Sequence, residues 1–309
     1  MKAEVDGRAV RLPDFLVVGA AKSGTTSLYH YLKQHPGIFM PDIKEPHFFT
    51  YGGKKPPHEH PRDIEAVWDF ADYADLFDKV GGGQVLGEAS PLYLYRYEAS
   101  INNIKEYVPS WQDLRIVIIL RDPVERAWSQ YRGFRMADLE DVSFEDALHM
   151  VRQRIAGNWR PDFDYTGFGL YYNQVKAYID NFSDVKVCLF DDLEADALGL
   201  VRDVYRFLGV DYSFAPDVRE RHNPSCRARS WALYKFLKKP DLVSAVFPLV
   251  KVIPLEKRVL MVKRLQSLNV DFSKARMKEE TRRHLRALYR EDVLKLQELI
   301  GRDLSGWLQ

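Results

Sequence analysis

The sequence predicts an α/β protein, a three-layer fold with a central parallel sheet flanked by helices and a helical C-terminal part. Three observations predict it. Short, largely apolar runs recur at Phe15–Val18, Leu114–Leu120 and Val185–Phe190, interrupted only by Arg115 and Lys186 and too brief for helices. Helical patterns separate these runs. The first run passes into a helix through a turn of small residues. Strands alternating with helices require parallel pairing, with the crossover helices on both faces.

The elements follow in order. Residues 1–13 read as a polar arm. Phe15–Val18 is a buried strand, and Gly19–Thr26 is a small-residue turn. Ser27–Gln34 is a helix closed by His35-Pro36-Gly37. Residues 41–63, rich in Pro, Gly and His, read as loop. Glu65–Lys79 is a helix with Trp68, Tyr73, Leu76 and Phe77 apolar, broken at Gly81–Gly83. Val85–Glu88 is a short strand leading to Ser90-Pro91, and Ile101–Val108 a helix. Leu114–Leu120 is the clearest strand. Arg121-Asp122-Pro123 ends it, and Pro123 suits the first turn of a helix over Val124–Phe134. Helices at Phe144–Ala156 and Leu170–Phe182 precede the strand Val185–Phe190. Asp191–Glu194 opens a turn, and Leu198–Leu208 is a helix closed by Gly209. Arg219–Ser230 reads as a basic loop. The remainder is mostly helical, with Lys278–Leu299 strongly amphipathic. Without repeats or a linker the chain reads as one domain, 1–309, with an α/β core over 14–230 and a helical extension over 231–309 packed on it.

Composition narrows the function classes. With 46% hydrophobic and 29% charged residues the chain is a folded protein and not a disordered one. A net charge of +1 supplies no global field for nucleic acid, so any anion site must be local. The two cysteines, Cys188 and Cys226, form neither a metal-ligand spacing nor a disulfide framework. Cys188 lies in an apolar run and reads as core. No apolar run reaches the roughly 18 residues of a membrane span, and no leader pattern is present. The expectation is a soluble, cytoplasmic protein that does not insert into membranes.

Gly19-Ala-Ala-Lys-Ser-Gly-Thr-Thr26 stands between the first strand and the first helix. Small residues let the backbone curl so that its N–H groups converge, and the helix N-terminus adds positive charge. The segment nearly fits the nucleotide-binding P-loop, so the fold is expected to be P-loop-like. It departs from that motif at Thr25, where a lysine is expected. The lysine is Lys22, inside the loop, and would reach a different part of the bound anion. Thr26 occupies the place of the magnesium-binding hydroxyl, but without a lysine at 25 a triphosphate lacks its main counter-charge.

Lys22-Ser-Gly-Thr-Thr-Ser-Leu28 resembles the 5′-phosphosulfate-binding loop of sulfotransferases that use 3′-phosphoadenosine 5′-phosphosulfate (PAPS). The likeness is to the carbohydrate (heparan sulfate-type) branch and its bacterial relatives. The resemblance implies that Ser23, Gly24, Thr25, Thr26 and Ser27 cradle the 5′-phosphate and that Lys22 assists the leaving group. It also implies no requirement for a metal.

Arg121-Asp-Pro-Val-Glu-Arg-Ala-Trp-Ser129 follows the clearest strand, where an open α/β sheet binds ligands. An arginine and a hydroxyl can grip one phosphate from two sides. The pattern resembles the 3′-phosphate-binding segment of the same family, which assigns Arg121 and Ser129 to that phosphate. A donor phosphorylated at both 3′ and 5′ positions explains both motifs, whereas ATP explains one.

Lys44-Glu-Pro-His-Phe-Phe49 offers a base. A hydroxyl acceptor must lose its proton as sulfur is attacked in line, and a partly buried Glu or His can take it. By resemblance to the heparan-type enzymes Glu45 is the base, with His47 its helper or the second choice for base. Glu88-Ala-Ser-Pro-Leu-Tyr93 resembles a family stretch that carries lysine where Ala89 stands here. Glu88 and Tyr93 are expected on the acceptor side. The basic loop Arg221–Ser230 resembles the late cofactor-covering loop of bacterial sulfotransferases, and the resemblance implies that Arg227 and Arg229 close over the 3′-phosphate or adenine, with Asn223 and Ser225 supplying hydrogen bonds. Gly169-Leu-Tyr171 reads as packing. Val185–Phe190 followed by Asp191-Asp192 imitates a magnesium-binding strand, but Asp191 is read as a structural cap.

The reading is therefore sulfuryl transfer from PAPS to a sugar, polyketide, lipid or other hydroxyl (or amine) compound. An ATP-dependent P-loop phosphotransferase and a non-catalytic nucleotide-binding module are the rivals. The first would need the lysine that Thr25 replaces. Retention of Lys22, Glu45, Arg121 and Ser129 speaks against the second.

Overall fold

The computed structural model describes residues 1–5, 7–57, 66–78, 80–219, 227–228, 270–271 and 276–309. They fall into two compact units. The first comprises Met1–Tyr131, Val142–Asn223 and Glu279–Gln309, and the second Arg132–Asp141 and Pro224–Lys278.

The strands are β1 (Lys2–Val5), β2 (Arg8–Arg11), β3 (Phe15–Gly19), β4 (Ile38–Phe39), β5 (Val85–Ala89), β6 (Arg115–Leu120), β7 (Val185–Leu189), β8 (Arg227–Ala228) and β9 (Val270–Asp271). The helices are α1 (Thr25–Lys33), α2 (Phe48–Tyr51), α3 (Phe70–Asp75), α4 (Leu92–Tyr95), α5 (Tyr97–Tyr107), α6 (Pro123–Ala137), α7 (Phe144–His149), α8 (Val151–Ala156), α9 (Tyr171–Asn181), α10 (Phe190–Ala195), α11 (Ala197–Leu208) and α12 (Glu279–Ile300).

The first unit is organised by a five-stranded sheet in the order β4-β5-β3-β6-β7. Every pairing is parallel. Phe15–Val18 and Ile116–Leu120 have no exposed surface, because both faces of the central strands are covered. Each such aliphatic side chain stabilises the fold by about 1.5–3 kcal/mol. On one face Phe15, Val17, Val117, Ile119 and Cys188 pack with Leu28 and Leu32 of α1 and with Val201, Val204 and Leu208 of α11. On the other, α4 packs on β3, and α9 packs on α4, α5 and α12. The ends of α11 follow local chemistry. Asp196 accepts from the Gly199 amide (2.9 Å) at its start, and Gly209 closes it at φ +70°. Strand order reverses about β3, and beyond the C-terminal ends of β3 and β6 lies the position at which open α/β sheets form their ligand crevice.

Four of the five strands of the main sheet and most helices agree with the sequence reading, which had no strand at β4 (Ile38–Phe39), and these further differences appear. The expected polar arm is an antiparallel hairpin, β1 against β2. Its signal in the sequence was the dipeptide Asp6-Gly7 between two short strands. The loop over 41–63 contains the helical turn α2. The helix expected over 65–79 is observed as α3, started by Asp69, whose carboxylate accepts from the Ala71 amide at 2.8 Å. The helix expected over 144–156 divides at Met150 into α7 and α8. The acidic turn after β7 is the helix α10, and α12 is amphipathic as read, burying Thr281, Leu285, Tyr289, Val293 and Leu296. Within the second unit, part of the expected basic loop forms β8, antiparallel to β9. Residues 231–269 of the expected extension lie outside the described residues. Among the described residues no helix is long and apolar enough to cross a membrane.

Candidate active site

The loop after β3 is shaped for close approach. Gly24 stands at φ +94°, and a Cβ there would meet Leu193 Cδ2 at 2.8 Å and Phe190 Cδ2 at 3.0 Å. Both backbone and space therefore demand glycine. Helix α1 begins directly afterwards with no side-chain cap and no acidic residue in its first turn. Its first backward bond is from the Leu28 amide to the Gly24 carbonyl, 3.0 Å. The positive end of α1 thus lies beyond the C-terminal end of β3. Ser23 is fully buried within the loop.

The exit of β6 meets this loop. Arg121 Nη1 donates to the Lys22 carbonyl at 3.2 Å, and the guanidinium lies 4.5 Å from the centroid of the Phe190 ring. The three residues of the Arg-Asp-Pro segment divide the work. Arg121 turns to the loop. Asp122 Oδ1 accepts from the amides of Val124 (2.8 Å) and Glu125 (3.3 Å), and Pro123 opens α6. Ser129 is buried, two turns further along α6.

The third part is the loop Lys44–Phe49, held from behind by β5 and its continuation. The Glu45 amide donates to the Ala89 carbonyl (3.1 Å), and the His47 amide to Ser90 Oγ (3.0 Å). The Phe49 amide donates to the Tyr93 hydroxyl (3.2 Å). Tyr93 in turn donates to Glu88 Oε2 at 2.9 Å, as Tyr73 does at 3.2 Å. Glu88 has no exposed surface, and burial lifts its carboxyl to about 7 despite these hydroxyls.

Charges at the loop tip interact. Lys44 Nζ bonds Glu45 Oε1, and His47 Nε2 lies 3.8 Å from Glu45 Oε2. Burial by itself would raise the Glu45 carboxyl, but Lys44, His47 and Lys22 outweigh it and hold the group below the ordinary range. Burial lowers His47 against the opposing pull of Glu45, which favours the neutral imidazole, and its Nδ1 has no hydrogen-bond partner. Lys22 is lowered by burial; Glu45 opposes this, and Arg121, Arg126 and Lys44 add to it. Lys22, Glu45 and His47 also share a backbone feature. Among the described residues five non-glycine residues have positive φ, and these three are at +68°, +64° and +58°. Strained backbone of this kind concentrates at functional sites.

The structure thus brings Lys22, Gly24, Arg121, Glu45 and His47 to one end of the sheet. Thr25, Thr26 and Ser27 form the first turn of α1 there. Glu88 and Tyr93, expected to line an acceptor cleft, have no exposed surface and instead support the Glu45 loop. The reason is that their side chains turn into the layer beneath that loop, where Tyr73 and the Phe49 amide engage them. Asp191 is not a cap, since α10 has no side-chain cap; its Oδ2 accepts from Trp307 Nε1 at 2.9 Å. Tyr171, read as packing, is fully buried, with its ring 6.4 Å from that of Trp307. Arg227 contributes its backbone to β8. Arg229, Asn223 and Ser225 lie outside the described residues. Sequence reasoning missed Lys44, although it adjoins the candidate base, and Phe190, whose apolar character gave no sign of a role beneath Arg121. Among the described residues no group of three His, Cys, Asp or Glu side chains could hold a metal ion.

Comparison with known proteins agrees with this arrangement. The family model of the sulfotransferase domain matches residues 12–235. The membrane-associated sulfotransferase kil1 of Dictyostelium discoideum is 32% identical over 152 residues, 47% of this chain and 29% of that protein. Heparan sulfate glucosamine 3-O-sulfotransferase 3A1 of Mus musculus is 27% identical over 208 residues, 67% of this chain and 48% of that protein. The chain thus spans less than half the length of these two relatives. A crystal structure of a sulfotransferase from Alicyclobacillus acidocaldarius superposes with a TM-score of 0.74 at 32% identity, covering 97% of this chain and all of that one. A parallel sheet with a glycine-shaped loop at its switch point, and a domain match over most of the chain, lead to one conclusion: this chain belongs to the sulfotransferase domain family.

Proposed function

We propose that this chain transfers a sulfuryl group from PAPS to a hydroxyl or amine of an acceptor by in-line displacement. The observation that carries the reading is the 3.2 Å bond from Arg121 to the Lys22 carbonyl, which joins the two anion motifs into one site. The residues fit such a donor. Gly24 leaves room where a Cβ would collide, and the start of α1 carries no acidic residue to repel a phosphate.

In this reading the amides from Gly24 to Ser27 hold the 5′-phosphate, and Arg121 and Ser129 hold the 3′-phosphate. Glu45, kept ionised by Lys44, takes the acceptor proton. His47, neutral, orients the acceptor by a hydrogen bond. The new bond from the acceptor oxygen or nitrogen to sulfur forms as the bond from sulfur to the bridging oxygen breaks. Lys22 meets the charge that builds on that oxygen. Lys22 and Arg121 supply the positive charge that magnesium provides in triphosphate chemistry, so turnover is expected to continue in EDTA. The heparan sulfate glucosamine relative makes a carbohydrate hydroxyl the first acceptor to try.

The test uses ³⁵S-labelled PAPS with a panel of oligosaccharide and small hydroxyl acceptors. The wild type should yield labelled product, and Glu45→Gln should not. Absence of labelled product across the panel, together with magnesium-dependent binding of ATP, would reject the reading.

A further inference from the structure

Arg126 stands one helical turn after Asp122 on α6 and has no exposed surface. Its Nη2 donates to the Tyr165 carbonyl, and its guanidinium lies 5.4 Å from the Phe168 ring centroid. Its Nε and Nη1 have no hydrogen-bond partner, and among the described residues it forms no ion pair. A buried guanidinium is costly unless an opposite charge balances it.

The nearby carboxylates are committed elsewhere. Asp122 caps α6 through the Val124 and Glu125 amides. Asp164 accepts from the Tyr95 hydroxyl, the Thr166 hydroxyl and the Gly167 amide. The Tyr289 hydroxyl beside Arg126 is engaged with the Thr166 carbonyl at 3.0 Å. Toward the loop after β3 the picture differs. The buried Ser23 hydroxyl has no hydrogen-bond partner. The Tyr171 hydroxyl faces Arg126, Ser23 and the Arg121 backbone without closing a well-formed bond to any of them. Arg126 is also one of the charges that depress Lys22. Uncommitted donors and an unbalanced cation therefore lie behind the same loop. A guanidinium keeps its charge at every working pH, and the surrounding low dielectric screens it little.

We propose that Arg126 is a positioning residue of the donor site, whose fixed charge acts through the Lys22–Ser23 segment and is balanced by an anion seated in the loop, so that it selects nucleotides carrying a 5′-phosphate. The proposal rests on the nucleotide reading above. Arg126 makes no contact with the reacting atoms; it sets the potential in which Lys22 and the loop amides bind.

The test is calorimetric titration of the full chain with 3′-phosphoadenosine 5′-phosphate (PAP) and with adenosine 3′-phosphate, in wild type and Arg126→Gln. Glutamine can still donate to the Tyr165 carbonyl but carries no charge. Affinity for PAP should fall about tenfold or more, and affinity for adenosine 3′-phosphate by less than about twofold. Equal losses for both ligands, or none, would overturn the proposal, because a merely structural arginine cannot distinguish them. Arg126→Met, likewise uncharged, serves if the glutamine variant does not fold. It should show the same selective loss of affinity for PAP, and equal losses for both ligands, or none, would also overturn the proposal. A wild type that fails to bind PAP rejects the nucleotide reading and this proposal together. A wild type that binds it, with an unaltered preference in Arg126→Gln, rejects this proposal alone.

Discussion

Arg121 donates from its guanidinium to the main-chain carbonyl of Lys22 across 3.2 Å, although the two residues are 99 apart in the sequence. The bond ties the loop after β3 to the exit of β6. Phe190, from the exit of β7, lies under the same guanidinium and fills the space a side chain at 24 would need. Three strand ends therefore set the position of one lysine.

In the proposed reaction that position makes Lys22 a residue of turnover more than of binding. Lys22→Ala is expected to lower kcat by roughly 100-fold, the scale of a lost transition-state donor. The KM for the donor should change far less. Steady-state kinetics decide the matter: an unchanged kcat with a raised KM would make Lys22 a binding residue only.

Gly24→Ala tests the cradle. At φ +94°, with a Cβ 2.8 Å from Leu193 Cδ2, alanine must strain the turn or displace its neighbours. A stability loss of about 1–2 kcal/mol is expected from the backbone alone, measured by urea denaturation. Affinity for PAP should fall with it. Wild-type affinity in this variant would show that the turn does not hold the nucleotide.

The pH profile tests the base. Glu45 is held below the ordinary glutamate range because Lys44, His47 and Lys22 outweigh burial. Activity should therefore persist to a pH below that range before the acid limb of kcat/KM falls. In Lys44→Met burial is less opposed, and the limb should move to higher pH. A limb that stays in place would remove Glu45 from the role of base.

Glu88 gives a stability prediction of its own. Burial raises it to about 7, so its ionisation opposes folding. Its contribution is fully present below the unfolded-state value of about 4.3. It is lost as pH rises through about 7 and stays lost above. Relative to Glu88→Gln, the wild type should lose on the order of 3–4 kcal/mol between pH 4 and pH 8. Denaturant melts of both proteins at several pH values measure this, and a constant gap would contradict it.

Much of the sheet was legible because central parallel strands are near-continuous apolar runs. The readings at 15–18 and 114–120 match β3 and β6 to within one residue. The short hairpin at 2–11 was not, since four-residue strands leave little alternation to read. The loop over 19–26 was legible because small residues at a strand–helix junction have few other uses. The left-handed backbone of Lys22, Glu45 and His47 left no trace, because only glycine advertises that conformation in a sequence. Glu88 and Tyr93 were read toward the acceptor because a polar residue at the end of a strand or in the turn after it looks the same whether it lines a cleft or a buried network. Arg126 stood inside the quoted motif, yet an arginine on a helix reads as exposed until tertiary packing encloses it.

The central claim is that the two motifs grip one nucleotide carrying phosphates at both ends. A crystal structure of the chain with PAP tests it most directly. The account expects the 5′-phosphate on the amides at the start of α1, beside Lys22, and the 3′-phosphate on Arg121 and Ser129. A nucleotide bound elsewhere, or one that touches the loop while Arg121 and Ser129 contact no phosphate, would contradict it.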